Sequence, residues 1–479
     1  MNTHAAVDLQ AWNADPVHRR AAWIGVCVAA ASVFLFVVDS GLVALALPKI
    51  AAQHPNVARG TLAWIATGFL VAQSSLLLIG GRLADRRGRK SFYLFGLTLF
   101  SIGAALTSMA PSVPLIIAAR VVQGVGGAFL ASSALALVLP MFPASKVPAV
   151  IGVWGAIGSV AAWLTPTLGA LVVDANWRYA FGGLAPLGVI VALIGRRVLH
   201  EQIITDLEGR TDRLSYYVGP IGLGLLMLVL AQGSRWGWAS PPVIVLGGLA
   251  VVLIVVFVRR CVTAEVPLLD LAILRNRVFA ANTIAGAVQQ IGFFGWFLTG
   301  PLIMIALWGW SVREAGLAVA LGQVMASVAA PLGGQLAIRY GNTRPIVVSS
   351  FITAGGSAWL VATATARPNF VGVVLPASML MGFGSGMCGT MTTGAALAAL
   401  PATMLGAGNS LVQLVRRMGG ALGVALAAGI LGEGTGPGLL AGARRVWWMV
   451  TLVHIGMSAP LWWSASRRRR HEGNSMMVT

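Results

Sequence analysis

Residues 21–50 read AAWIGVCVAAASVFLFVVDSGLVALALPKI. At 1.5 Å of helical rise per residue, this apolar stretch is long enough to cross about 30 Å of hydrocarbon. One acid, Asp39, lies well inside it. A carboxylate in hydrocarbon is costly, so an intramembrane acid is by default a functional group, here a proton or cation site. The chain has fourteen acids, and the others sit elsewhere. Asp85, Glu201, Asp206, Glu208, Asp212, Glu265 and Asp270 fall in polar connections, Asp8, Asp15 and Glu472 in the tails. Asp174, Glu314 and Glu433 fall at span ends.

The rest of the chain repeats the pattern of this first stretch. Hydrophobic residues make up 57% and charged residues 10%, with a mean hydropathy of +0.83; a soluble domain carries roughly 25% charge. Apolar runs lie near 22–48, 61–80, 92–110, 113–140, 148–172, 179–198, 216–232, 241–258, 279–307, 314–338, 345–365, 371–398, 405–431 and 446–465. They predict an all-α polytopic membrane protein with about fourteen transmembrane helices. The first run is too long for a signal-peptide core and is expected to be retained. Cys27, Cys261 and Cys388 are scattered and suggest neither a disulfide framework nor a metal site. The 59 glycines fit close helix packing in a bilayer.

A net charge of +19 raises the question of nucleic acid, and its distribution answers it. With a cytoplasmic N-terminus and alternating spans, 22 of the 33 Lys and Arg fall inside and eight outside. Three more, Arg120, Arg416 and Arg417, lie within spans. This is the positive-inside bias of an inner or plasma membrane protein with both termini cytoplasmic, and no nucleic-acid partner is expected.

An internal repeat organises the spans. GGRLADRRGRK (Gly80–Lys90) follows the second span and GGQLAIRYGNTR (Gly333–Arg344) follows the tenth. Both read Gly-Gly-x-Leu-Ala and then Arg-x-Gly with further basic residues. The second half therefore begins near 279. The expected units are a cytoplasmic tail 1–21, a six-helix bundle 22–198, and cytoplasmic connections with two inserted helices over 199–278. A second six-helix bundle at 279–465 and a basic cytoplasmic tail 466–479 complete the chain. Parallel halves of this kind are a transporter architecture, with the substrate near the bilayer midplane.

On these motifs the chain, from about residue 36 to 465, resembles the major facilitator superfamily, specifically the fourteen-span drug:proton antiporters of the EmrB/QacA type. The loop GRLADRRGRK matches the superfamily signature, and the resemblance implies a cytoplasmic gating latch built from Gly81, Asp85, Arg86, Gly88 and Arg89. Physically, Asp85 can sit at a helix N-terminus or pair with a loop arginine. VDSGLVALALPKI (Val38–Ile50) is similar to the family's first-span motif, whose acid is implicated in proton coupling; Gly41-Leu42 stand where the family has more polar or β-branched residues. ARVVQGVGGA (Ala119–Ala128) resembles the fourth-span signature Arg-x-x-Gln-Gly-x-Gly. Asp39 lies nine residues before Pro48 and Arg120 seven residues after Val113. Both therefore sit about 10–14 Å below the outer surface, which favours a facing pair over two independent groups. GSVAAWLTPTLGA (Gly158–Ala170) resembles the antiporter signature Gly-Pro-x-x-Gly-Gly, with Thr165 and Ala170 replacing two glycines while Pro166 and Gly169 remain. NWRYAF (Asn176–Phe181) also looks like the family's fifth-to-sixth connection.

NSLVQLVRRMGGALGVA (Asn409–Ala425) resembles the family's Arg-Gln-x-Gly-Gly run, with Arg417 in place of Gln. Helical periodicity places Asn282, Gln289, Gln290, Phe293 and Trp296 on one candidate cavity face, joined by Asn409, Gln413, Arg416 and Arg417. A cavity with so many cations against one acid predicts a preference for neutral or acidic substrates over dications. Enzyme signals are poor: the Gly88–Ser91 run lacks phosphate-loop spacing, and Ser385 with His454 lacks an elbow.

The sequence thus predicts a proton-coupled secondary transporter working by alternating access, with Asp39 and Arg120 as the coupling pair. Expulsion of a small molecule against protons is the first reading. Proton-coupled uptake of a neutral or anionic metabolite, and a membrane enzyme or lipid-handling protein, are the alternatives. The partners expected are a small-molecule substrate, protons and the lipid bilayer. No cofactor beyond the proton gradient, no metal and a monomeric state are expected.

Overall fold

The computed structural model of the chain describes residue 12 and residues 14–201, 212–265, 267–432 and 437–461. The basic tail 466–479, residues 1–11 and 13 of the N-terminal tail, and most of the polar connection 199–214 lie outside the described residues. Among those described, the long elements are all helices: α1 (Pro16–Gln53), α2 (Trp64–Arg87), α3 (Arg89–Met109), α4 (Val113–Val138) and α5 (Val147–Val198). Then come α6 (Ser215–Trp236), α7 (Pro241–Thr263), α8 (Arg277–Ala306), α9 (Val312–Tyr340) and α10 (Thr343–Thr363), followed by α11 (Leu375–Ala398), α12 (Leu405–Leu431) and α13 (Pro437–Gly456).

Twelve helical stretches among the described residues are long and apolar enough to cross a membrane, not the fourteen spans read from the apolar runs. Two differences account for this. The runs 148–172 and 179–198 fall in one stretch of 52 residues, α5, made of two helices that meet without a loop at a kink at Asn176 (φ −166°, ψ 120°). A π-turn at Thr165–Gly169 carries the chain past Pro166, and Asn176 alone leaves helical backbone. The last run, 446–465, is described only as far as residue 461; there α13 begins earlier, takes in Arg444 and Arg445, and is not among the twelve.

The helix ends follow local chemistry. Asp15 caps α1 by accepting from the N–H groups of Val17 and His18 at 3.0 and 2.9 Å, with Pro16 at the first position, where no N–H is needed. Gly88 joins α2 to α3 at φ 111°, a conformation that only glycine adopts without strain. Ser311 and Glu314 form a reciprocal capping box at the start of α9.

The chain divides into two compact units. The first holds residues 1–144, 160–271 and 401–414. In it α3 and α4 approach closely at Gly126, where a Cβ would lie 2.5 Å from the backbone nitrogen of Phe100. The inserted α6 packs on α2, and Gln232 donates to Thr67 at 3.2 Å. The second unit holds residues 145–159, 272–400 and 415–479. Its core gathers Trp296, Trp308, Met381 and Trp447, with Trp447 Nε1 donating to Thr299 at 3.1 Å.

Candidate functional site

The first site is built on α1, α2 and α4. Asp39 and Arg120 are buried and in contact, Arg120 Nη1 lying 2.6 Å from Asp39 Oδ1. Gln123, one turn along α4, donates to the same carboxylate oxygen at 2.9 Å and accepts from Arg120 at 2.6 Å. Arg120 Nε also donates to the carbonyl of Ile65 at 3.2 Å, and the guanidinium carbon lies 4.5 Å from the centre of the Phe69 ring. The centre of the Phe181 ring lies 5.7 Å from the same carbon. An arginine stays charged when buried, and here a carboxylate, an amide and a carbonyl compensate it. Asp39 Oδ1 thus takes two hydrogen bonds, while Oδ2 has no partner. A buried, unbonded carboxylate oxygen is where a proton can add without first breaking a bond. The addition would cancel the charge that holds Arg120.

Two departures from the family pattern meet beside this pair. The absent Cβ of Gly41 would lie 2.6 Å from Thr165 Cγ2, so the glycine on α1 makes room for the threonine of the π-turn. Thr165 turns its hydroxyl back to the carbonyl of Ala161 at 2.8 Å. Gly169, one turn beyond Thr165, lies against Leu42 and Thr165. Pro166 itself interrupts α5 there, within the π-turn.

The second site is the loop between α2 and α3. Asp85 is buried, pairs with Arg89 Nε at 2.8 Å, and accepts from the backbone N–H of Ala407 in the first turn of α12. Both arrangements open to it in the sequence, a loop arginine and a helix N-terminus, therefore hold together. Arg89 Nη1 donates to the carbonyl of Ala136 at 2.8 Å. Gly81 lies beneath Ser410 and the carbonyl of Gly406, and leaves no room for a side chain. Arg86 closes α2, and Gly88 lies over a carboxylate that sequence reasoning missed, Glu201. Glu201 accepts from the N–H groups of Lys90 and Ser91 at 2.9 and 3.1 Å, capping α3 from 110 residues away. No motif announces such a pairing.

The third group lies mainly in the second unit. Gln289 and Gln290 on α8, and Arg416 on α12, converge on α11. Arg416 donates to Gly389 O at 3.2 Å, Thr393 Oγ1 at 3.3 Å and Gln290 Oε1 at 3.4 Å, while Gln289 Nε2 donates to Ser385 O at 3.0 Å. Phe293 is half-buried and stacks on Phe297; Asn282 is buried and turns its amide to Val278 O. Trp296 is a core residue against Trp447, and Arg417 is half-buried. In the first unit, Asn409 donates to Ala131 O on α4 at 2.7 Å and Gln413 is half-buried. Ser385 and His454 make no pair with each other: the hydroxyl donates to Gly382 O and the ring contacts Val450 O.

The sequence pattern of the Major Facilitator Superfamily matches residues 29–424. This chain belongs to that superfamily. Among curated relatives, it is 27% identical over 407 residues to the multidrug transporter protein MdtP of Bacillus subtilis, covering 85% of this chain and 74% of that one. It is 31% identical over 412 residues to the puromycin resistance protein pur8 of Streptomyces alboniger, covering 84% and 80%. Among solved structures, the superfamily's proton:xylose symporter XylE superposes with a TM-score of 0.66 at 13% identity, over 93% of this chain and 96% of that one. That identity speaks for the fold alone. The protein is a superfamily transporter rather than an enzyme, and spans the membrane many times.

Within this superfamily member, the sequence motifs located Asp39, Arg120 and the loop residues, but other buried polar groups escaped notice. Gln73 on α2 is fully buried with neither amide atom bonded, and Gly127 on α4 leaves the space it fills. A glutamine inside a predicted span was the available signal.

Proposed function

We propose that this chain is a proton-coupled exporter of small lipophilic molecules, allied to the drug:proton antiporters that its first- and fourth-span motifs resemble. It works by alternating access in the inner or plasma membrane, with both termini cytoplasmic. Two six-helix bundles, 22–198 and 279–465, form the moving halves, with α6 and α7 inserted between them in sequence. The proton gradient is the only energy source, and the unit of function is a monomer.

The observation that carries this reading is the unbonded Oδ2 of buried Asp39, beside an Oδ1 held by Arg120 and Gln123. Protonation at Oδ2 releases Arg120 from its counter-ion, and deprotonation restores the pair. A substrate that binds one of these states better than the other is thereby coupled to the proton. Asp85, held by Arg89 and the start of α12, latches the cytoplasmic side. The names of the multidrug and puromycin-resistance relatives support export over uptake.

The test is efflux from a pump-deficient bacterial host expressing the protein. Export that stops on adding a protonophore, and continues when ATP is depleted while the gradient is kept, supports the reading. Export that follows ATP and ignores the gradient refutes it.

A further inference from the structure

We propose that the inserted pair α6–α7 is a fixed brace of the first bundle, keyed to α2 along its length, so that α2 moves as one rod between the Asp39–Arg120 pair and the Asp85 latch. The proposal rests on the alternating-access reading and names the element that carries its motion.

α2 touches both sites. Near its outer end, Ile65 O accepts from Arg120 Nε and the Phe69 ring lies under the guanidinium. Asp85 stands twenty residues beyond Ile65, about 30 Å along the helix axis. Helices kink chiefly at proline. The stretch Trp64–Arg87 contains none, whereas α1 holds Pro48 and α5 holds Pro166 and Pro186.

The brace is visible as a seam that keeps step along two antiparallel helices. Gln232 Nε2 on α6 donates to Thr67 Oγ1 on α2 at 3.2 Å, and both residues are buried. Eight residues away on each helix, the bare Cα of Gly224 lies against Ser75. Arg235 Nη1 donates to Gly60 O, just before α2, at 3.4 Å. At the inner end Arg82 lies within electrostatic reach of Tyr216, in the first turn of α6. A glycine in such a seam lets two backbones approach closely, the packing that holds helices together in lipid. Opening the seam would leave the Gln232 amide without a partner in hydrocarbon, where no water replaces it.

α7 is fastened to α6 in turn. Gly219 faces the ring of Phe257, and a Cβ on Gly222 would lie 3.0 Å from Leu253 Cβ. Arg260, in the last turn of α7, donates to both carboxylate oxygens of Asp212, which also accepts from Ser215 Oγ at 2.8 Å. Both inserted helices accordingly fall in the first compact unit. An unkinked helix held in this way transmits a shift instead of absorbing it. Release of Arg120 on protonation of Asp39 is then felt at Asp85, while the seam between α2 and α6 stays shut.

The test uses the full-length protein carrying Cys27→Ser, Cys261→Ala and Cys388→Ala, which removes its free thiols. One chain adds Ser75→Cys and Gly224→Cys, whose Cβ atoms would lie 3.5 Å apart, within the roughly 3.5–4.5 Å of a disulfide. Its oxidation by copper phenanthroline in proteoliposomes is followed as loss of maleimide-PEG labelling after denaturation. A second chain adds Ser410→Cys, at a buried position against Gly81 beside the latch, and is alkylated with N-ethylmaleimide. Each is measured as it stands, with Asp39→Asn as the mimic of the protonated acid, and with Asp85→Asn, which opens the latch directly. Alkylation is expected to rise at least about fivefold in both variants, as the open population grows. The disulfide is expected to form at rates within about twofold in all three backgrounds, because the seam geometry is constant. Should the glycine variant fold poorly, Thr67→Cys with Gln232→Cys, bridged by a short bis-thiosulfonate, reads the same seam. A cross-linking rate that changes with either variant, or no cross-link at all, overturns the brace and leaves alternating access intact. Alkylation that rises with Asp85→Asn but not with Asp39→Asn overturns the rod while the latch stands. Alkylation unchanged in both removes the latch, and the proposal falls together with the alternating-access reading.

Discussion

Two arginines inside the spans have opposite surroundings. Arg120 is gripped by a carboxylate, an amide, a carbonyl and two aromatic rings. Arg416 rests on three neutral acceptors at longer range. The difference teaches that a buried charge can be kept for two reasons. One is internally compensated, so that its partner's protonation state governs it. The other meets no carboxylate among the described residues and is held by neutral acceptors alone.

The largest expected effect follows from removing one member of the compensated pair. Arg120→Leu leaves Asp39 buried without its counter-ion, which should cost about 3–5 kcal/mol. A thermal melt of the detergent-solubilised protein checks this. Adding Asp39→Asn to that variant should recover most of the loss, since both charges are then gone. Arg416→Leu should behave differently, leaving the melting temperature level or raising it. Equal destabilisation by both leucine variants would erase the contrast.

A smaller structural cost is expected where α1 meets the π-turn. Gly41→Val drives a branched side chain into Thr165, and should destabilise by about 1–3 kcal/mol. Thr165→Gly in the same chain should relieve it, a coupling that a double-mutant cycle reads directly. Two substitutions that look like separate departures from the family pattern would then be a single compensated change.

The latch should show itself in rate rather than stability. Asp85→Asn keeps the size of the side chain but removes the charge from Arg89 and from the first turn of α12. Turnover in proteoliposomes should fall several-fold with substrate affinity unchanged. Loss of affinity with normal turnover would make Asp85 a binding residue instead.

The smallest effect belongs to the connection before α6. Arg260 donates to both carboxylate oxygens of Asp212 at 2.8 Å and holds that carboxyl well below the usual carboxylate range. The folded state therefore favours the ionised form. Its contribution is complete above the ordinary carboxylate pKa of about 4 and fades only as pH falls further through the lowered value. Arg260 is exposed although Asp212 is mostly covered, so Arg260→Gln should lower the melting temperature only slightly at neutral pH, and less again in acid.

Much of this was legible in the sequence because membrane helices advertise themselves. Apolar length found the helices, and the depths of Asp39 and Arg120 along their spans put them within reach of each other. What depth could not reveal was the third partner's role: Gln123 belonged to a motif, but only packing turns its amide onto the carboxylate. The span count failed between the runs 148–172 and 179–198, because the helices on either side of Asn176 follow each other without a loop and form one stretch, Val147–Val198. Trp296 shared a periodic face with Gln289, yet its bulk went into the core beside Trp447. Glu201 and the Ala407 end of α12 reach the loop around Asp85 from distant sequence, with no local pattern to announce them.

The central claim is that Asp39 carries the transported proton. The direct measurement compares parent and Asp39→Asn proteoliposomes in two assays, substrate movement driven by an imposed proton gradient and gradient-free substrate exchange. The asparagine variant is expected to lose gradient-driven transport and the accompanying proton flux, while exchange persists and the protein remains folded. Full gradient-driven transport by Asp39→Asn would contradict it.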